Sequence, residues 1–418
     1  MIKKLEYCTY FLAILFPLTY LIGTGFVNSI SILIAIVGFL ILINKSFLST
    51  LKSYPILFVY IIFCIVLILS SLFSDQILYS ISKSLAYSLY FFFLYAFFEV
   101  IKNYKETFLL NFFKILLIVN FILILSVIYE LIIKDFNLSL QLTGIFEKKI
   151  LGIIVLKLVF LKIGLLLHFH NKFNENIFKF LYFYIILSSL ILILLSQHRT
   201  SFYLFLLGLL IFFIFNKKTL KINISISLIS FFVLLMMGLV FDSILYKSFF
   251  LNVINSIFVN NKIYLFSEHY NGHYISAFKM FIHNPINGIG PNLFRFECLD
   301  EKYIYIYKSF IDDSNIFREL NSCSTHPHNF YIQLLAETGI FGFLIFLSFF
   351  IYIFYLMTNL IFKKSVNNNI LLFCSLISLF LSFFPFVPSL NFFNSWATSL
   401  SLIPLAFVIV LNSSEFRK

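Results

Sequence analysis

Apolar runs long enough to cross a bilayer recur along this chain and leave room for little else. A helix needs about 20 residues to cross a hydrocarbon core of about 30 Å. Twelve such runs can be read, at roughly 5–22, 26–43, 55–73, 82–100, 108–133, 150–168, 179–196, 200–216, 222–241, 337–357, 369–386 and 398–412. Several are rich in Phe, Ile and Leu on every side, as helices bathed in lipid are. A hydrophobic share of 61%, a charged share of 11% and a mean hydropathy of +1.00 exclude a soluble globular domain. The expected fold is an all-α polytopic membrane protein with about twelve transmembrane helices. The first span passes directly into polytopic pattern without a small-residue cleavage site, so no cleavable signal peptide is expected.

Orientation follows from the basic residues. With the N-terminus inside, Lys3, Lys4, Lys45, Lys52, Lys102, Lys105, Lys172, Lys179, Lys217, Lys218, Lys221, Lys363, Lys364, Arg417 and Lys418 face the cytoplasm. The short outer loops keep Lys134, Lys148, Lys149 and Arg199, so the tally is fifteen against four. An even span count returns the C-terminus to the cytoplasm. The net charge of +12 is mostly this orientation signal. No basic patch with interleaved aromatics sits on a soluble domain, so a nucleic-acid partner is not expected.

This topology divides the chain into an N-terminal membrane bundle (1–241, about nine spans), one large periplasmic loop (242–336) and a C-terminal bundle (337–418, about three spans). The loop is too long for a bare connector. It mixes Asp, Glu, Asn and His with apolar segments such as 274–283, expected to form helices lying on the membrane surface. Cys8, Cys64 and Cys374 lie in or beside apolar spans. Cys298 and Cys323 share the outer loop, where an oxidising compartment would join them, the alternative being two separate thiols.

Arginine is scarce: 26 Lys stand against four Arg. Three of the four, Arg199, Arg295 and Arg318, fall between Gln197 and Glu337, together with six of the eight His. Within that stretch Ser196-Gln197-His198-Arg199 marks an outer turn between two spans. Ala277 leads to Pro285, Gly288-Ile289-Gly290-Pro291 and Arg295. A third string, Thr325-His326-Pro327-His328-Asn329-Phe330-Tyr331, runs through Glu337-Thr338-Gly339 to Gly342 and into a span. In the order and common side of these pieces, over about residues 140–345, the chain resembles the O-antigen ligase and polymerase superfamily. Leu142-Thr143-Gly144-Ile145-Phe146 before Leu151-Gly152 also resembles an outer element of that family.

The resemblance implies a metal-independent transferase with no cofactor, at the periplasmic face of the bacterial inner membrane. It would move a glycan from undecaprenyl diphosphate to a lipid A core acceptor, with inversion at the anomeric carbon. The residue chemistry agrees: outside the cytoplasm a transfer must use a bond already energised, and a departing diphosphate leaves charge that guanidinium groups can hold. By this reading His328 takes or steers the acceptor proton, while Arg199 and Arg295 face the diphosphate. The simpler alternatives are a loop histidine, a headgroup anchor and a bridge to Glu297 or Asp300.

Asn329, His326, His273, His269, Tyr331, Glu337, Gly288 and Gly290 are expected to bind substrate or support the site. Glu337 either polarises a histidine or caps its helix, and Gly288 and Gly290 permit a tight turn or a close backbone approach. The chain departs from the family where many relatives carry a second Arg shortly before the Ala277 position. Here His269, Tyr270 and His273 stand instead, the two histidines sharing a helix face. Gln141 likewise replaces an Arg of some relatives. Lys157 and Lys162 are charges at membrane depth, Lys157 near the outer part, and Arg318 has no assigned role. A polymerase joining lipid-linked repeats, or attachment of glycan to protein, would use the same motifs. A transporter of the lipid-linked glycan is the alternative of another class, disfavoured because its polar groups would lie near the midplane.

Overall fold

The computed structural model describes residues 2–44, 51–137, 141–146, 149–216, 258–259, 262–263, 268–310 and 317–413. At 258–259, 262–263, 268–269, 307–310 and 317–320 it describes the backbone alone. The expected span 222–241 lies outside these residues.

The apolar runs fold as helices. In chain order they are α1 (Ile2–Thr19), α2 (Thr24–Ile43), α3 (Pro55–Leu72), α4 (Ile77–Ile133), α5 (Leu151–His168), α6 (Glu175–Leu195) and α7 (Arg199–Phe215). After α8 (Glu268–His283) and the single turn α9 (Phe294–Glu297) come α10 (Phe330–Phe362), α11 (Ile370–Ser382) and α12 (Ser395–Leu411). Among the described residues six helices, α2 to α6 and α10, are long and apolar enough to cross a membrane, and α7, α11 and α12 are apolar but shorter. The fold is mostly helical, but the expectation of helix alone needs correction. Two short antiparallel hairpins stand between α7 and α10, Phe258–Val259 with Lys262–Ile263 and Ile306–Phe310 with Phe317–Asn321. Local β pairing lets an extracted loop satisfy its backbone groups where no apolar helix face is available to bury.

Helix α4 spans 57 residues with one non-helical position, Lys105 at φ 37°. The Phe97 and Phe112 rings lie 6.5 Å apart, although fifteen residues of straight helix would separate them by about 22 Å. The chain therefore reverses at Lys105, and α4 supplies both expected spans 82–100 and 108–133. The core centres on α5, whose first sixteen residues are all buried, with α4, α6 and α11 packed against it.

Span ends fall into two groups, as an alternating topology requires. At one end Asn103 meets Glu6, and Glu106 meets His168 at 2.7 Å. At the other, Ser70 and Ser80 donate to the carbonyls of Asn287 and Pro291, Gln141 donates to that of Ser196, and the Ser389 N–H donates to that of His328. The second group gathers every motif picked out in the sequence.

Candidate functional site

The segment before α10 carries the histidines, and local chemistry dictates its shape. Asn329 is the N-cap of α10: its side-chain oxygen accepts from the N–H groups of Tyr331 and Ile332, and its amide donates to the Pro385 carbonyl. His328 just before it adopts a left-handed backbone (φ 56°), which costs a non-glycine residue about 1 kcal/mol or more. Its carbonyl is held by the Ser389 N–H at 2.7 Å. The ring then lies 4.0 Å from that of His326, 5.6 Å from that of His273 and 5.3 Å from that of Tyr270 (centroid distances).

Hydrogen bonds set the tautomers of the flanking histidines. His326 Nε2 faces the Ser389 carbonyl at 3.3 Å, so it carries the proton, and Nδ1 accepts from the Thr325 hydroxyl. Burial, reinforced by His328, pushes the His326 imidazole down to about 3. His326 is thus neutral and adds no positive charge at physiological pH. His273 Nδ1 donates to the Ser322 carbonyl at 2.7 Å. His269 lies one turn earlier on α8, with its side chain outside the described residues, as is that of Arg318 in the second hairpin.

Glu337 is fully buried and clamps the glycine loop onto α10. Its carboxylate accepts from the N–H groups of Asn292 and Phe294 at 2.9 and 3.0 Å and from the Gln333 amide at 3.0 Å. The Ile289 and Gly290 N–H groups donate to the Ala336 and Glu337 carbonyls, and that of Ile340 to the Pro285 carbonyl. Gly288 (φ 68°) and Gly339 (φ 65°) are both required: a Cβ would lie 2.4 Å from the Glu337 backbone or 2.1 Å from the Ile286 carbonyl oxygen. The close backbone approach expected of Gly288 is therefore made to α10. Gly339 places a kink in α10 at the clamp. Tyr331 is buried against Phe346 and Phe350, and its hydroxyl donates to the Phe383 carbonyl. Cys298 and Cys323 are joined by a disulfide (Cα–Cα 5.0 Å), which ties the segment after Arg295 to the segment before His326.

Two cavities flank the histidines. The first, of about 170 Å³, is lined by His328, Tyr270, His198, Ser201 and Lys157, with apolar walls from Ile153, Leu204, Leu381 and Val387. His198 N-caps α7: its Nδ1 accepts from the Ser201 N–H and hydroxyl, which leaves the proton of the neutral ring on Nε2. Burial pushes this imidazole down to about 4. Arg199, the first residue of α7, is exposed. It acts electrostatically on Tyr203 and on Tyr270, whose hydroxyl burial holds above its ordinary range. Lys157 is buried, with Nζ 2.5 Å from the Ser401 hydroxyl; deeper on α5, Lys162 donates to Asn120, which donates to Ser188.

The second cavity, of about 410 Å³, lies across His326 and is lined by Tyr79, Lys83, Asn292, Arg295 and Asn391 among others. Arg295 lines this cavity and not the first, while Arg199 is in the described lining of neither. Arg295 belongs to the loop clamped by Glu337, and so faces the α4 side of His326 instead of the cavity beside Arg199. Sequence reasoning missed His198 as a cavity residue, and also Lys83, Asn292, Ser389 and Asn391. Lys83 alone carried a signal, a cation at the outer end of the span 82–100 against the basic-inside pattern. His198 and Asn292 stand beside the motif residues Arg199 and Pro291 without being singled out, while Ser389 and Asn391 come from a loop distant in sequence with no motif of its own.

Residues 183–347 match the family model described as O-Antigen ligase. No curated protein matches the chain. The matched segment contains Arg199, Tyr270, Arg295, His326 and His328, and with them most of the polar wall of the first cavity and part of that of the second. The match supports the resemblance to the O-antigen ligase superfamily over residues 183–347.

Proposed function

We propose that the protein is an O-antigen ligase-type glycosyltransferase that moves a glycan from undecaprenyl diphosphate to a lipid A core acceptor at the periplasmic face of the inner membrane. The observation that carries this reading is the first cavity. It joins a polar rim, made of His328, Tyr270, His198 and Ser201 next to Arg199, to apolar walls from α5, α7 and α11. That pairing of surfaces suits a diphosphate attached to an isoprenoid chain. The rim also holds the positive end of the α7 dipole, which favours an anion.

In the reaction an acceptor hydroxyl oxygen attacks the anomeric carbon as the bond from that carbon to the phosphate oxygen breaks. The electron pair leaves with undecaprenyl diphosphate, and His328 takes the hydroxyl proton. Arg199 stabilises the charge that develops on the leaving phosphate oxygens, and the neutral His198 donates from Nε2. Lys157 supplies a further hydrogen-bond donor to the same cavity from inside the bundle. Attack opposite the leaving group inverts the anomeric carbon. No step calls for a metal ion.

The test is transfer by the purified protein in nanodiscs, supplied with undecaprenyl-diphosphate-linked glycan and either lipid A core or a second lipid-linked repeat unit. His328→Ala is expected to slow transfer by about 10²–10⁴-fold, and chelator is expected to leave the rate unchanged. Turnover of the repeat unit alone makes the enzyme a polymerase. Full transfer by both His328→Ala and Arg199→Ala ends the proposal.

A further inference from the structure

The second cavity has a composition that the proposed reaction does not use. Two cations, Lys83 and Arg295, line it, with no carboxylate among the described residues of its wall. The Arg295 Nη2 donates to Asn292 Oδ1 at 3.1 Å, while its Nε is buried with no hydrogen-bond partner. A charged donor left unmet is costly, and an anionic acceptor relieves that cost. The Lys83 ammonium sits 5.0 Å over the Tyr79 ring. Glu297, Asp300 and Asp75 lie outside the lining. So does buried Glu337, which interacts electrostatically with Arg295 but spends its oxygens on the Asn292 and Phe294 N–H groups and the Gln333 amide. Burial, Asp75 and Asp300 raise Glu297.

The wall between the cations is preorganised. Asn391 donates to Asn292 Oδ1 at 2.8 Å, and its own oxygen accepts from Gln333 and from the Phe393 N–H. Asn292 in turn donates to the Tyr79 hydroxyl at 3.0 Å. Tyr79, Tyr87, Tyr90 and Phe393 complete the lining. Aromatic faces suit the apolar C–H faces of pyranose rings, and fixed amides suit their hydroxyls. His326 lines this cavity and His328 the first, with their rings in contact, so the two chambers meet at the histidine pair.

We infer that the second cavity is the acceptor subsite and that it takes a sugar bearing a carboxylate or phosphate, held by Lys83 and Arg295. The word acceptor rests on the proposed reading, in which the first cavity holds the donor diphosphate; the preference for an anionic sugar does not.

Saturation-transfer NMR on the full chain in nanodiscs, without donor lipid, tests it with three probes: methyl β-glucoside, methyl β-glucuronide and methyl β-glucoside 6-phosphate. The expected result is binding of one or both charged probes at least about tenfold tighter than the neutral one, the size of one charged hydrogen bond. The tighter of the two identifies the anion. Lys83→Gln should remove most of that preference and Lys83→Arg should keep it. Equal binding of charged and neutral probes by the wild-type protein overturns the inference, as does an unaltered preference in a folded Lys83→Gln protein. Charge-blind binding with transfer intact would sink this subsite and leave the transferase reading standing. Charge-selective binding without transfer would do the reverse.

Discussion

The imidazoles of His198, His326 and His328 all line the two cavities, yet they are not interchangeable. His326 and His198 are held near 3 and 4 by burial, so both stay neutral through the physiological range. His328 is the one placed in the first cavity by a strained backbone, and strain of that kind is maintained where surrounding structure enforces it. The depressed values carry a stability consequence. Between pH 6.5 and about 4 the unfolded chain binds protons at these two positions and the folded chain does not. Stability is therefore fully present above the unfolded value and falls as pH drops through that window, by up to about 1.4 kcal/mol per pH unit for each fully buried group. Thermal unfolding in detergent at pH 7 and pH 5 should show the loss, and His326→Asn should flatten it. A pH-independent midpoint in the wild type would contradict this account of the histidines. At Arg199, replacement by Lys keeps the charge but loses the planar fork. Transfer should fall about tenfold or more, less than for Arg199→Ala. His328 and Arg199 were legible in the sequence because each sits in an ordered string of motif residues. Asn329, Tyr331 and Glu337 come from the same strings, but their polar atoms are consumed by N–H and carbonyl partners of the fold. A motif match does not distinguish a residue that touches substrate from one that holds the residue that does.

At the scale of elements, α10 does most of the positioning. Its N-cap fixes Asn329 and the turn bearing His328, and its kink at Gly339 opens space for the glycine loop. Glu337 then anchors that loop, which carries Arg295. Gly339→Ala brings a Cβ within 2.1 Å of a carbonyl oxygen at a positive φ. It should destabilise the protein by about 1–3 kcal/mol and disturb the second cavity first, read as a lower unfolding midpoint with reduced Arg295-dependent binding. Asn329→Ala should cost about 1 kcal/mol through the lost cap and lower transfer by releasing His328. Unchanged unfolding midpoints for both variants would show that α10 is not the organising element. The helices themselves were readable from apolar length alone. So was the reversal at Lys105, which falls between the expected spans 82–100 and 108–133; the two hairpins were not, because they depend on local backbone pairing that hydropathy does not encode.

For the whole molecule, the alternation of span ends is the property on which everything else depends. The basic residues placed the N-terminus inside, and from that assignment the outer turn at Arg199, the glycine loop and the His328 segment were expected on one side. The structure gathers those three segments, with the loop before α12, at one end of the bundle. Lys83 and Asn391 reach the same end from α4 and from the loop after α11, a convergence that only the assembled bundle reveals. The most direct test of the central claim is labelling in intact cells with a membrane-impermeant maleimide, using single cysteines placed at Arg199 and at His328 in a Cys8→Ser background. The account predicts that both positions label from the periplasmic side without permeabilising the inner membrane. Labelling of one from outside and of the other only after permeabilisation would mean that Arg199 and His328 never face one donor, and would contradict the account.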